Sequence, residues 1–77
     1  MNAAAISELQ ATAALLDDRA ARIESAGDVL ATRAATATWS GPAADRFRLL
    51  MVERRNELRA GALALRDAAH AVRTAAL

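Results

Sequence analysis

A single short break divides this chain into two halves of nearly equal length. Thr38-Trp39-Ser40-Gly41-Pro42 holds the only Trp, the only Pro and one of three Gly, almost at the midpoint of 77 residues. Gly and Pro punctuate helical sequence more strongly than any other residues. The stretches on either side, about 35 residues each, read as helix. Helices joined by so short a connection lie side by side, so the chain is expected to form an all-α, antiparallel two-helix hairpin with Trp39 at the bend. The expected limits are one domain over 1–77, with helix 1 at about 3–37, the turn at 38–42 and helix 2 at about 43–76.

The apolar spacing supports each helix in turn. After Asn2, a suitable N-cap, Ile6, Leu9, Ala13, Leu16, Ala20, Ile23, Gly27, Leu30, Ala34 and Ala37 recur at alternating intervals of three and four. Unbroken heptads of this kind specify a narrow seam against another helix. Leu15 and Val29 flank that seam. Gly27 is its weak point, costing ~1 kcal/mol relative to Ala inside a helix; a break there, with Asp28 capping a new helix, is the alternative to one continuous helix. Beyond the bend, Gly41 or Ser40 can cap helix 2, Pro42 suits the first turn, and Asp45 favours the positive end of the dipole. The second seam reads Ala44, Phe47, Met51, Arg54, Leu58, Gly61, Leu65, Ala68, Val72 and Ala75.

Folding at 39–41 sets opposite each other positions whose numbers sum to about 81. Leu30 then meets Met51, Ile23 meets Leu58, Leu16 meets Leu65 and Leu9 meets Val72, and these side chains are expected to pack the hairpin and its dimer. Ala34 would face Phe47. Gly27 would admit Arg54, with Glu24 taking its guanidinium, and Ala20 with Gly61 would allow close helix approach. A second stripe on helix 2 (Leu49, Leu63, His70 and Leu77), together with Leu15 and Val29, marks where a partner would dock. Arg59, Arg66 and Arg73 repeat every seven residues on a flanking edge, either as a solvated face or as a charge-matching edge against an acidic partner helix.

Composition makes a partner necessary. Twenty-three residues are Ala, and the aromatic residues are Trp39 and Phe47 alone. At ~25 cal/mol per Å² of apolar area, so many small side chains give two helices a thin core, and the usual remedy is a four-helix bundle of two hairpins. The absence of Cys excludes disulfides and thiolate metal sites. A net charge of +1 gives no general attraction to nucleic acid or anionic membrane. The charge is uneven, with three Arg against five acids in residues 1–38 and seven Arg against four acids in residues 42–77, which favours antiparallel pairing of the halves. No run approaches the ~20 apolar residues of a membrane span. The first apolar stretch has no basic flank and is interrupted by Ser7 and Glu8, so no cleaved leader is expected.

Chemistry is hardly represented. His70 has Asp67 three residues earlier on its face, but no further His, acidic cluster or glycine-rich loop joins them. Asp17-Asp18 lacks the ligand spacing of a calcium loop and reads as surface. Arg46, Arg48, Arg54 and Arg55 cluster early in helix 2, yet Asp45, Glu53 and Glu57 interleave with them and no aromatic side chains are placed to stack on bases. The expectation is a non-enzymatic interaction protein with no catalytic residues, metal or cofactor and no nucleic-acid partner.

At the bend, Trp39-Ser40-Gly41-Pro42-Ala43-Ala44-Asp45-Arg46-Phe47 resembles the WXG family of early-secreted-antigen-like proteins, in which Trp-x-Gly joins two helices of similar length and is followed by small residues and an aromatic. The resemblance covers the architecture of the whole chain and about nine residues as motif. It implies recognition roles for Trp39, Gly41 and Phe47, assembly of the hairpin into an antiparallel four-helix bundle, and leaderless export by the ATPase of a type VII secretion system, with the protein acting as substrate or as targeting partner. It also implies that the bend of one subunit lies near the C-terminal tail of the other. That tail usually carries Tyr-x-x-x-Asp/Glu, and this sequence has no Tyr. Either the signal lies beyond this sequence or a partner supplies it. The second case favours a heteromer with a related hairpin or with the helical targeting region of a larger effector over a homodimer. The alternative function is a cytoplasmic adaptor or antitoxin-like hairpin that is never exported.

Overall fold

The computed structural model describes residues 2–77; Met1, the first residue of the expected domain, lies outside them. Helix α1 spans Ala3–Thr36 and helix α2 spans Pro42–Ala75, packed antiparallel. The hairpin measures 60 × 14 × 10 Å with a radius of gyration of 17.6 Å. A compact domain of this length would have a radius of about 11–12 Å. The molecule is a rod.

Local chemistry sets the helix ends. Asn2 is the N-cap of α1, its Oδ1 accepting from the Ala5 amide at 2.8 Å. The helix continues through Gly27 without a break. Gly41 caps α2 with φ 103°, a left-handed value that L side chains resist. Pro42 is the first residue of α2, where its missing N–H leaves no hydrogen bond unmade, and Asp45 lies in the first turn.

What holds the helices together is small. The buried residues of α1 are Ala13, Ala20, Gly27, Ala31 and Ala34, and those of α2 are Ala44, Ala62 and Ala69, joined by Ala76 just past its end. Among the described residues no side chain larger than Ala is fully buried. Leu9, Leu16, Ile23, Met51, Leu58, Leu65 and Val72 are half-buried along this strip. The reason is the closeness of the backbones. A Cβ placed on Gly27 would lie 3.3 Å from the Arg55 Cα and 3.1 Å from Leu58 Cδ1. At such separations only Ala and Gly fit between the helices.

That closeness corrects the expected seams. Leu30 is 44% exposed and Ala31 replaces it, while Ala37 is the extended residue just after α1. On α2, Ala44, Met51, Leu58, Leu65 and Val72 lie on the seam, but the alternate positions fall one residue later than expected. Arg48, Arg55, Ala62, Ala69 and Ala76 take the places expected for Phe47, Arg54, Gly61, Ala68 and Ala75, all five of which are exposed. The facing pairs move accordingly. Gly27 meets Arg55 and Ala34 meets Arg48, so facing numbers sum to 82. Arg54 turns outward to Glu57 at 3.1 Å, and nothing lies within 4 Å of a Cβ added at Gly61.

Candidate docking surface

The two sides of the rod differ in chemistry. Each helical residue advances about 100°, so Asp17 and Glu24 lie about 40° to one side of the Ala13–Ala20–Gly27 line, and Leu16, Ile23 and Leu30 about 60° to the other. On α2 the corresponding flanks carry Arg59, Arg66 and Arg73 on one side and Met51, Leu58, Leu65 and Val72 on the other, with Phe47, Arg54, Gly61, Ala68 and Ala75 about 40° further out on that second side. Three ion pairs identify which flanks meet. Arg59 reaches Asp28 at 2.9 Å, Arg66 reaches Glu24 at 3.0 Å and Arg73 reaches Asp17 at 2.5 Å. The arginine row is therefore matched to an acidic helix, and that helix is α1 of the same chain.

The opposite side consequently gathers Leu9, Leu16, Ile23 and Leu30 of α1 beside Met51, Leu58, Leu65, Val72 and the Phe47 flank of α2. Beyond that flank Leu50, Ala64 and Ala71 are exposed on the side of α2 turned away from α1. Its charged members on α2 are Arg54 and Glu57, which bond each other. Near the bend the face is bulky. Leu30, Phe47 and Leu50 are each about two-fifths exposed, and Trp39 is half exposed with its ring centroid 5.8 Å from that of Phe47, tilted by 51°. Of the motif residues, Trp39 and Phe47 thus touch, and Gly41 shapes the turn between them.

The second stripe does not form one surface with its expected companions. Leu15 and Val29 are exposed two residues after Ala13 and Gly27, about 200° round α1 and facing away from α2. Leu49 and Leu63 lie beyond the arginine row on the ion-paired side, and Leu77 follows the end of α2. His70 is exposed with no bond to Asp67; its carbonyl accepts from the Thr74 hydroxyl at 3.0 Å. A shallow depression of about 460 Å³ runs along α1 past Ser25, Asp28, Val29 and Thr32. Glu24 and Arg66 at its edge are bonded to each other. Among the described residues no group of His, Asp or Glu converges as a metal site, and no helix is long and apolar enough to cross a membrane.

One organising residue had no signal in the heptad pattern. Arg48 donates from Nε to the Ala34 carbonyl and from Nη2 to the Ala37 carbonyl, both at 2.9 Å, and from Nη2 to the Trp39 carbonyl as well. It thereby ties the open end of α1 and the bend to α2. Asp45 steadies it at 3.5 Å. Its position four residues after Ala44 was the available clue, hidden because Phe47 was the more obvious seam residue.

The chain matches no family model, no curated protein and no solved structure.

Proposed function

We propose that this protein is a non-enzymatic helical hairpin of a type VII secretion system, working as exported substrate or as targeting partner. The observation that carries the reading is the small core. With only Ala and Gly buried between the helices, every large aliphatic side chain is left half-buried or exposed, and Leu9, Leu16, Ile23, Leu30, Met51, Leu58, Leu65 and Val72 gather on one face of a rod that ends in a Trp-x-Gly bend. A compact monomer of 8.1 kDa would expose about 4,500 Å², against 5,382 Å² here. The excess is close to the ~800 Å² that each partner surrenders at a standard interface. In this reading a second helical hairpin covers the apolar face, completing a four-helix bundle, and the folded assembly is exported by the type VII ATPase.

Trp39 serves as the recognition element, because a half-exposed indole beside a tight turn offers a rigid apolar anchor. The test is expression of the protein in a host with an active type VII system and in its isogenic ATPase deletion. ATPase-dependent appearance in the culture supernatant, reduced at least tenfold by Trp39→Ala without loss of helicity, is the expected result. Equal supernatant levels with and without the ATPase would sink the export reading.

A further inference from the structure

We infer that the helix covering the α1 half of the apolar face belongs to a different, acidic chain, with carboxylates along its edge opposite Arg19 and Arg33. This rests on the reading that the face docks a helical hairpin, and it names the chemistry of the hairpin that fits.

The α1 rim of the face carries charge of one sign. Arg19 and Arg33 directly precede two buried residues of the seam, Ala20 and Ala34. That sets them about 100° from the seam, on the side of the Leu9, Leu16, Ile23 and Leu30 row. Among the described residues neither has an oppositely charged group within 4 Å. The acids of α1 are committed elsewhere. Asp17, Glu24 and Asp28 hold the arginine row on the opposite side of the rod, and Asp18 holds Arg22 at 3.1 Å. Across the face, Arg54 and Glu57 on the α2 rim satisfy each other at 3.1 Å. Internal pairing thus uses up the carboxylates of the acid-rich half and leaves its rim cationic.

These charges decide between occupants. A second copy would bring two more unpaired guanidinium groups and a single free carboxylate near its α1 rim, that of Glu8, about 140° from the seam. Glu53 and Asp67 do not help, because each lies two residues before a seam position and so on the outer side of α2, turned from the face. Arginine stays in excess whichever way two such rods are set, and like charges across an interface select against that partner. An acidic helix meets the rim instead. Arg19 and Arg33 stand two heptads apart, about 21 Å at 1.5 Å per residue, so the matching carboxylates fall at that separation on one edge of a heptad-patterned helix. Arg33 also borders the depression beyond Val29; as an exposed side chain it turns to the edge that offers a carboxylate.

The test uses two synthetic four-heptad peptides with Leu at the core positions, one with Glu and one with Lys on both edges. Like charges on its edges keep each peptide from pairing with itself. Labelled peptide is titrated with the full-length protein and followed by fluorescence anisotropy in low salt. The Glu peptide is expected to bind at least tenfold tighter than the Lys peptide, and 1 M salt should bring that ratio below about threefold. Arg19→Glu with Arg33→Glu should reverse the preference. Arg19→Glu alone should weaken binding of the Glu peptide at least threefold more than Arg46→Glu, which makes the same change of net charge on the outer side of α2. Circular dichroism verifies that each variant is folded. Equal binding of the two peptides, or equal effects of Arg19→Glu and Arg46→Glu, would overturn the inference and leave the docking reading standing. So would a self-pair of about 16 kDa, twice 8.1 kDa, that persists at micromolar protein in low salt. Binding of neither peptide would sink the docking reading, and the inference with it. None of these results touches export, which the supernatant assay decides separately.

Discussion

Arg48 donates from Nε to the carbonyl oxygen of Ala34 at 2.9 Å, joining the second turn of α2 to the last turns of α1. A helix leaves its final carbonyls without internal partners, and here a guanidinium fork from the other helix takes one of them along with two carbonyls of the bend. The turn is thus fixed by a side chain outside it. Gly41 supplies the left-handed backbone at the bend, and Arg48 holds the carbonyls on its α1 side.

Removing that fork is the most direct test of how the hairpin is closed. Arg48→Met keeps most of the aliphatic stem but leaves the three carbonyls without their donor. Hydrogen bonds to a charged group contribute about 1.5–3 kcal/mol each net of exchange with water, and less where solvent replaces the lost partner, as it can at this partly open end of the rod. A loss of about 2 kcal/mol is expected, seen as a fall of roughly 10 °C in the thermal midpoint by circular dichroism. Arg48→Lys should recover little of it, because a single ammonium cannot span the same carbonyls.

The two helical glycines should respond oppositely to Ala. At Gly61 an added methyl meets nothing within 4 Å, so Gly61→Ala is expected to stabilise by about 1 kcal/mol through helix propensity alone. At Gly27 the same gain is opposed by contacts at 3.1 and 3.3 Å, one of them to backbone. Overpacking typically costs 1–3 kcal/mol, so Gly27→Ala should destabilise by about 1 kcal/mol net. Urea denaturation at one low protein concentration, which limits any contribution from association, checks both signs.

The hairpin, its bend and the Asn2 cap were legible because each rests on local rules: heptad spacing, Gly-Pro punctuation and a side-chain acceptor ahead of a helix. The rotation of the helices about their own axes was not. A three-four repeat leaves two adjacent positions competing for the same seam place, and bulk favoured Phe47, Arg54 and Leu30. The helices approach too closely for bulk, so Ala31, Ala62 and Ala69 won, and on α2 Arg48 and Arg55 entered at the same phase. For the same reason the docking face was only half legible. Its Leu and Ile row was visible as seam, whereas its Gly and Ala row became a surface only once α2 was turned.

Because the three interhelix ion pairs lie on one side of the rod, their contribution should be small and separable. Each side chain involved is 37–49% exposed, where such pairs contribute about 0.2–1 kcal/mol. Glu24→Arg is expected to cost about 1 kcal/mol by setting two guanidinium groups together, and the exchange Glu24→Arg with Arg66→Glu should regain most of it. A double-mutant cycle in low salt measures the coupling, which 1 M salt should largely abolish. A coupling of zero in low salt would mean that the pair is not formed in solution.

Arg55 offers a gain in stability. It lies in the seam beside Gly27, and its Nε is buried with no hydrogen-bond partner. A buried polar atom left unsatisfied costs about 1–3 kcal/mol, whereas the aliphatic stem packs usefully against the seam. Arg55→Met keeps the stem and removes the orphan, so it should raise stability by about 1 kcal/mol. Arg55→Ala removes both and should not stabilise. The difference between these variants in urea midpoint isolates the guanidinium from its stem. If Met proves no better than Arg, the group has a partner in solution, and the core between the helices is wetter than its Ala and Gly lining implies.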